Sequence, residues 1–357
     1  MGHFKKEKDG RWSVQFYYED CTGKKKRKHK LGFKTKKEAD EWMHEFIKRE
    51  QSDMDMCFDT FVALYLKDIS KDLRKSTMKN KRGIIEMHLL PYFKDSQVRD
   101  ISPLDVKRWQ NEMKDKDFSS TYLRTLNAQL SAIFNHAVRF YHLSSNPCVA
   151  AGGMGKSKRR SEDIAVWTVE EMDQFLDTFE EKDRAYYAFF LLYWTGIRLG
   201  EMLALTLGDI DFDQKKLSIT KSYQKIDGEE LVTKPKTDKS NRIIELPDFV
   251  VEELREYTDK LYGVTKKDRL FQISKGGLEK IIKRNAEKAG LKKIRVHDLR
   301  HSHASLLIAN HIDIATISRR LGHENIKTTL DTYSHMFDKN ARATADILDT
   351  IRKRSDD

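Results

Sequence analysis

Cysteine is scarce. Cys21, Cys57 and Cys148 are the only three in 357 residues, and they lie far apart. An odd, scattered set fits neither a disulfide framework nor a zinc finger, and it points to a reducing compartment. Long apolar runs are also missing. The longest, Tyr186–Trp194, is far too short to cross a bilayer. The opening MGHFKKEKDG lacks the apolar segment of a signal peptide, and Lys6 stands where a myristoylation pattern needs Ser or Thr. The expectation is a cytoplasmic protein that does not engage a membrane. Internal repeats, a Walker loop, a pair of catalytic acids and a His-Glu-x-x-His motif are all absent. Neither a nucleotide cofactor nor two-metal chemistry is suggested, so no cofactor and no metal are expected.

Positive charge is what the chain has in excess. Lys and Arg number 67 against 56 Asp and Glu, a net +11. That balance favours a polyanionic partner, nucleic acid before an acidic membrane surface. Hydrophobic residues make up 39% of the sequence, enough for real cores, and the length suits two or three domains.

Periodicity divides the chain into four stretches. In 1–52, Trp12, Val14, Phe16 and Tyr18 alternate with Ser13, Gln15 and Tyr17, as in a half-buried strand. After the turn Glu19–Gly23 a second strand carries Lys24, Lys25, Lys26, Arg27, Lys28 and Lys30, cations expected on an open face that touches DNA, with a Lys-rich edge strand protected against aggregation as the alternative. Thr35 and Glu38 predict a capping box for a helix with the stripe Ala39, Trp42, Met43, Phe46 and Ile47. Residues 53–149 read as a helical bundle. Its core stripes include Phe58, Phe61, Val62, Tyr65 and Leu66, then Ile84, Ile85, Met87 and Leu89 in a helix that ends before Pro91. Ser102–Pro103 opens a helix with Leu104, Val106 and Trp109; the next carries Tyr122, Leu126, Leu130, Ile133, Phe134 and Val138. Lys75, Lys79, Lys81 and Arg82 gather where phosphates could be met, although a solvated face explains them equally well. Asn146–Pro147 closes the bundle. A mobile basic linker, 150–165, follows and contains Lys158, Arg159 and Arg160. From 166 to 357 the pattern is a larger mixed α/β domain. It has a Thr168–Glu171 helix cap, a buried helix over Tyr186–Tyr193, another over Thr195–Leu207, strands at Lys216–Tyr223, Leu231–Lys234 and Arg242–Leu246, and a turn at Asp227–Gly228. The remainder is helical, with Gly322 closing a helix begun at Asp313.

Three clusters could carry chemistry. The first is Thr195–Glu201, where Arg198 follows a glycine turn at a helix start and Glu201 lies on the same face. By itself this is a helix-start salt bridge. The second is Lys234-Pro235-Lys236-Thr237, at the tip of a hairpin predicted over Leu231–Leu246. The third and densest is Ile294–His335, with His297, Arg300, Leu321-Gly322-His323 and Tyr333. Two arginines, Arg198 and Arg300, could clamp the oxygens of a phosphorus under attack. His297 and His301 have metal-ligand spacing, but Arg300 between them opposes a cation. His301 and His303 read as packing or surface histidines, and Tyr333 alone reads as a half-buried structural tyrosine.

The two arginine motifs, Leu321-Gly322-His323 and Tyr333-Ser334-His335, in that order, resemble the tyrosine recombinase (phage integrase) family over 166–335. In arrangement the helical bundle is similar to that family's core-binding domain. The basic N-terminus is similar to the three-stranded arm-type DNA-binding domain of integrases from temperate phages and integrative conjugative elements. The implied fold is multidomain and mainly α with small β elements: a three-stranded sheet plus helix, a helical core-binding domain and a mixed α/β catalytic domain.

The resemblance implies that Tyr333 attacks the scissile phosphate, leaving a 3′-phosphotyrosine and a free 5′-hydroxyl. Arg198 and Arg300 would bind the non-bridging oxygens, with His323 as a third donor. Lys236 would be the general acid, with Lys234 and Lys239 as rivals; Pro-Lys-Thr before a returning strand favours Lys236. His297 would assist proton transfer with Tyr333, and Glu201 would support the site. The implied function is integration and excision of a mobile element, on double-stranded core and arm sites. It would proceed as a tetramer through a Holliday junction, with an excisionase or a host DNA-bending protein as partner. A tail helix over Ala341–Arg354 would dock on a neighbour or on its own domain. The rival readings are a chromosomal dimer resolvase, a type IB topoisomerase-like nicking-closing enzyme, and a non-catalytic DNA-binding regulator.

Overall fold

The computed structural model describes residues 2–19, 25–50, 56–155, 165–233 and 241–337, the side chains of 19, 47–50 and 334–337 excepted. The chain divides into two units, Met1–Arg159 and Arg160–Asp357.

In the first unit, β1 (His3–Lys6), β2 (Trp12–Glu19) and β3 (Lys25–Phe33) form an antiparallel sheet in that order. Helix α1 (Lys36–Glu50) closes a core of Val14, Phe16, Phe33, Ala39 and Met43. Thr35 Oγ1 accepts the Glu38 N–H, while the Glu38 carboxylate accepts the N–H of Lys34, one residue earlier than an ideal capping box would have it. The β2–β3 register sets Phe16 opposite Lys28, Val14 opposite Lys30 and Tyr18 opposite Lys26. Directly opposed residues share a face of the sheet. Lys26, Lys28 and Lys30 therefore rise on the helix side, and Lys28 Nζ lies 4.9 Å from the centre of the Phe46 ring. Only Lys25 and Arg27 belong to the face of Gln15 and Tyr17, so the expectation that all these cations share the open face is corrected. The cause is the period of two: a continuous basic run must alternate. Lys24 and Ile47 lie outside the described residues and side chains.

The bundle comprises α2 (Phe58–Ile69), α3 (Lys75–Ile84), a π turn (Ile85–Leu89), α4 (Leu90–Phe93), α5 (Pro103–Lys114), α6 (Ser120–Phe140) and α7 (Pro147–Ala151). Its core includes Phe58, Phe61, Trp109, Leu126, Leu130 and Phe134. The helix expected to stop before Pro91 runs through it. The wide turn at Ile85–Leu89 starts a new segment in which Pro91 sits in the first turn, where no N–H is needed. The same turn shifts the helical phase, and Met87 is 70% exposed instead of buried. Leu104 and Val138, expected in the core, are 58% and 37% exposed. Their stripes are narrower than their apolar residues suggest. Ser102 and Asp105 form the expected capping box. The linker does not begin at Ala150. Asn146 accepts the Cys148 N–H and caps α7, Gln110 Nε2 donates to the Gly152 carbonyl, and Met154 is buried in the bundle core. Residues 156–164, with Lys158, Arg159 and Arg160, lie outside the described residues.

The second unit holds α8 (Val169–Leu176), α9 (Arg184–Thr195), α10 (Leu199–Met202), β4 (Ile210–Asp211), β5 (Lys216–Ile219), β6 (Ser222–Ile226), β7 (Glu229–Thr233), β8 (Arg242–Glu245), α11 (Asp248–Asp259), α12 (Lys275–Lys288), α13 (Asp298–Ala309), α14 (Ile314–Leu321) and α15 (Ile326–Phe337). Strands β4, β5 and β8 form one sheet, and β6–β7 form a hairpin turning at Asp227–Gly228. Helix α9 is buried on nearly every side, which explains its unbroken apolar run. Two expectations fail here. No long helix spans Thr195–Leu207, because Gly196 at φ +65° ends α9 and only the single turn α10 follows. No hairpin joins Leu231 to Leu246 either: β7 pairs with β6, and β8 pairs with β5. Lys234, Lys236 and Lys239 fall outside the described residues, as does the tail Ala341–Arg354. No helix among the described residues is long and apolar enough to cross a membrane.

Met154 tests whether the chain beyond α7 belongs to the bundle. Met154→Ala should destabilise it by about 2 kcal/mol or more. The measurement is hydrogen exchange at the α6 amides, and unchanged protection there would contradict the packed assignment.

Candidate active site

Three carbonyl groups and one carboxylate organise Arg198 and Arg300. Thr195 ends α9, and Gly196 turns the chain left-handed so that its carbonyl accepts Arg300 Nη1 at 2.7 Å. A side chain at Gly196 would meet His303 Cδ2 at 2.5 Å, so both the turn and the packing require glycine. At the far end of α14, Gly322 at φ +67° closes the helix, as the sequence suggests. There the Leu321 carbonyl accepts Arg300 Nη2 at 2.6 Å, and the Gly322 carbonyl accepts Arg198 Nη2 at 3.1 Å. The two arginines, far apart in sequence, are thus tied to one turn.

Glu201 supplies the carboxylate. It accepts the Arg198 backbone N–H, Arg198 Nη1 at 2.9 Å and Arg242 Nη2 at 2.7 Å. Burial would raise its pKa, but the Arg242 and Arg198 guanidiniums override that and hold it below the ordinary carboxylate value. Arg242, on β8, also donates from Nε to the Arg320 carbonyl at 2.8 Å. The sequence places Arg242 only at the start of the returning strand of a predicted hairpin.

The arginines differ in exposure. The Arg198 side chain is 39% exposed, whereas Arg300 as a residue is 4% exposed. Burial first, then the neighbouring Arg198 charge, press the Arg300 pKa downward. Three guanidiniums, Arg198, Arg242 and Arg300, surround one carboxylate, and an anion is the natural complement. Among the described residues no cluster of three His, Cys, Asp or Glu side chains could hold a metal ion.

Three further candidates, all among the described residues, lie near the same place. His323 follows Gly322, and its Nδ1 meets Thr329 Oγ1 at 2.7 Å. Burial, then Arg300 and Arg198, push it down to about 3. Tyr333, on α15, is 2% exposed; burial raises its phenol above the ordinary tyrosine value, opposed by Arg300. His297 precedes α13 and is exposed, with its ring 5.3 Å from that of His301, edge to face. His301 was read as a packing or surface residue. Instead its Nδ1 lies 2.6 Å from the Tyr333 hydroxyl. The spacing of His297 and His301 predicts a shared helical face; the sequence does not say that α15 meets it at His301. His303 is buried beneath Gly196, with Nε2 accepting from Arg320 Nε at 3.1 Å.

The expected DNA-contacting residues of α3 divide. Lys75, Lys79 and Arg82 are exposed and spaced to share a face. Lys81 turns inward, donating to Tyr65 Oη at 2.8 Å and Gln129 Oε1 at 2.6 Å.

Three family models match in chain order: an arm DNA-binding domain over residues 3–49, a phage integrase N-terminal SAM-like domain over 57–114, and the phage integrase family over 166–340. The ICEBs1 integrase of Bacillus subtilis is 28% identical over 97% of this chain and 99% of its own length. The integrase of Mycobacterium phage L5 is 25% identical over 80% of this chain and 78% of its own. Among solved structures, a Tn1549 transposon integrase fragment in complex with transposon right end DNA covers 82% of this chain and 99% of the fragment, at 19% identity and TM-score 0.66. A lambda integrase dimer bound to a core site covers 90% and 91%, at 19% identity and TM-score 0.59.

Two predictions follow from the charges. His301, pushed down to about 4, and His303 and His323, pushed down to about 3, stay neutral when folded, while unfolded histidines protonate near 6.5. The unfolded chain therefore binds more protons below about pH 6.5, and stability should fall as pH drops from there towards 4 and below. Glu201, with a lowered folded pKa, adds a loss in the same direction at the acid end. A melting temperature that stays flat from pH 7 to pH 4.5 would contradict the neutral buried histidines. Arg242→Met should destabilise the unit by about 3 kcal/mol, since it strips a buried carboxylate of its better partner. Arg198→Met, at a half-exposed group, should cost less than about 1 kcal/mol. Urea unfolding separates the two, and equal losses would refute the assignment of Arg242 as the stronger clamp.

Proposed function

Because the chain belongs to the phage integrase family, we propose that it is a tyrosine-type site-specific recombinase, an integrase that moves a mobile element into and out of DNA. The observation that carries this reading is the tying of Arg198 and Arg300 to one Leu321–Gly322 turn, with Tyr333 within the field of Arg300. The order of the three matched models supports it, and the arm DNA-binding match at residues 3–49 favours an integrase over a resolvase or a topoisomerase-like enzyme.

In this reading Tyr333 Oη attacks the scissile phosphorus. Arg198 and Arg300 hold the non-bridging oxygens, and His323 adds a donor, all three stabilising charge as the phosphorus becomes pentavalent. The P–O5′ bond breaks as the Tyr333–phosphorus bond forms, and Lys236 protonates the leaving 5′-oxygen. The phosphotyrosine keeps the phosphodiester energy, so rejoining reverses the same step. Glu201 holds Arg198 in place. Arg300 and Tyr333 are both buried, so a phosphate reaches them only when the α14–α15 region yields.

The proposal extends to the assembly. Residues 1–52 bind arm sites, while the helical bundle, which runs through Met154, and residues 166–357 clamp the core site. Lys25 and Arg27 are the arm-domain cations best placed on the open sheet face, and Lys75, Lys79 and Arg82 share one face of α3. Four copies would act on two duplexes through a Holliday junction, in the cytoplasm, with an excisionase or a DNA-bending protein setting direction.

A nicked duplex cut from the boundary of the element that carries the gene tests the chemistry. The wild type should accumulate a covalent protein–DNA complex and Tyr333→Phe none; a complex that persists would sink the nucleophile assignment. Lys236→Ala should slow cleavage ~10²-fold or more, with Lys234→Ala and Lys239→Ala near wild type. A sulfur at the 5′-bridging position, which leaves without a proton, should restore Lys236→Ala.

A further inference from the structure

The Tyr333 hydroxyl meets His301 Nδ1 at 2.6 Å, and the chemistry described so far gives this contact no role. We propose that His301 is the base that takes the Tyr333 proton, the role that the family resemblance implies for His297. The inference rests on Tyr333 being the nucleophile.

Geometry comes first. His301 and Tyr333 face each other from α13 and α15, with ring centres 5.7 Å apart. His297 lies one helical turn earlier, exposed, and presents its ring edge-to-face to His301. Among the described residues no hydrogen bond joins it to Tyr333. The charged and titratable groups around His301 are His297, Asp298, Arg300 and Arg295 from its own helix and the segment before it, Tyr333 from α15, and His323 from the turn after α14. Burial, then His297, keep the imidazole neutral near pH 7, Asp298 opposing. A neutral imidazole with Nδ1 towards the phenol accepts its proton when Nε2 carries the hydrogen. Burial leaves Tyr333 reluctant to ionise by itself, which is the situation a base relieves.

The step balances. The Tyr333 proton passes to His301 Nδ1 while the Oη–phosphorus bond forms. The P–O5′ bond breaks, and its electron pair leaves on the 5′-oxygen, which takes a proton from the general acid. On religation the imidazolium returns its proton to the departing phenol.

The test uses the full chain and the same nicked duplex, in single turnover. His301→Asn keeps a polar group near the position of Nδ1 but cannot take a proton. Cleavage should fall ~10²-fold or more while binding to the duplex is retained. Putting 2,3-difluorotyrosine, a more acidic phenol, at 333 should recover roughly 10-fold or more of that loss. The 5′-thio substrate should recover none, because leaving-group protonation is intact. Recovery by the acidic phenol requires folded protein, so a misfolded variant cannot imitate it. His301→Asn cleaving at or above the wild-type rate would overturn the proposal, the latter revealing a clamp that holds Tyr333 back. So would recovery by the acidic phenol in His297→Asn and not in His301→Asn. A wild type that forms no covalent complex would instead strike the nucleophile reading itself.

Discussion

The Glu201 carboxylate, gripped between Arg198 and Arg242, is the contact on which the second unit's site depends. It joins α10 to β8, and Arg242 carries the tie onward to the Arg320 carbonyl at the end of α14. Three elements distant in sequence are thereby fixed at one point. A buried ion pair is a doubtful source of net stability, because desolvation offsets much of the attraction. Its value here is positional. Losing one partner strands a charge in the interior, so alternative arrangements of the three elements are disfavoured.

The remaining guanidinium contacts use neutral acceptors. The carbonyls of Gly196, Leu321 and Gly322 orient Arg300 and Arg198 without cancelling their charge. Carboxylates in those positions would have held the arginines equally well and left nothing for an anion. Glycine turns at both ends provide these acceptors, since a left-handed residue turns its carbonyl away from the helix it closes. Loop conformation and site electrostatics are thus one design.

Much of this was legible. The order of Arg198, His297, Arg300, His323 and Tyr333 survives folding because short motifs carry their own local geometry: a glycine turn, a helix start, a helix end. What was not legible depends on partners that periodicity does not name. Nothing in a basic run says which strand it will pair with, so the sequence points Lys26, Lys28 and Lys30 to the open face, whereas the register sets them opposite Tyr18, Phe16 and Val14. Nothing in the spacing of β7 and β8 says that a β6–β7 hairpin will compete for pairing and win. Arg242 looked like one more surface cation because its carboxylate lies 41 residues away in sequence. His301 was discounted for the same reason, its partner being one helix removed. Local chemistry reads well from sequence; the identity of the neighbour across a packed interface does not.

That limit matters most for Tyr333, the proposed nucleophile. Surrounding arginines invite the idea that they ionise Tyr333 by their field alone. In the folded protein without DNA, burial outweighs Arg300 and the phenol stays protonated. Binding a phosphodiester makes this worse, for its negative charge offsets the guanidiniums that favoured the phenolate. The same charge acts on His301 in the helpful direction. It cancels part of the Arg300 field that discourages an imidazolium and raises the proton affinity of Nδ1 as the phosphate arrives. Substrate binding therefore favours transfer of the proton to a neighbouring base over free ionisation of the tyrosine. In the proposed reaction a site built from arginines needs a separate base at Tyr333, and His301, in contact with that hydroxyl, is the group placed to serve.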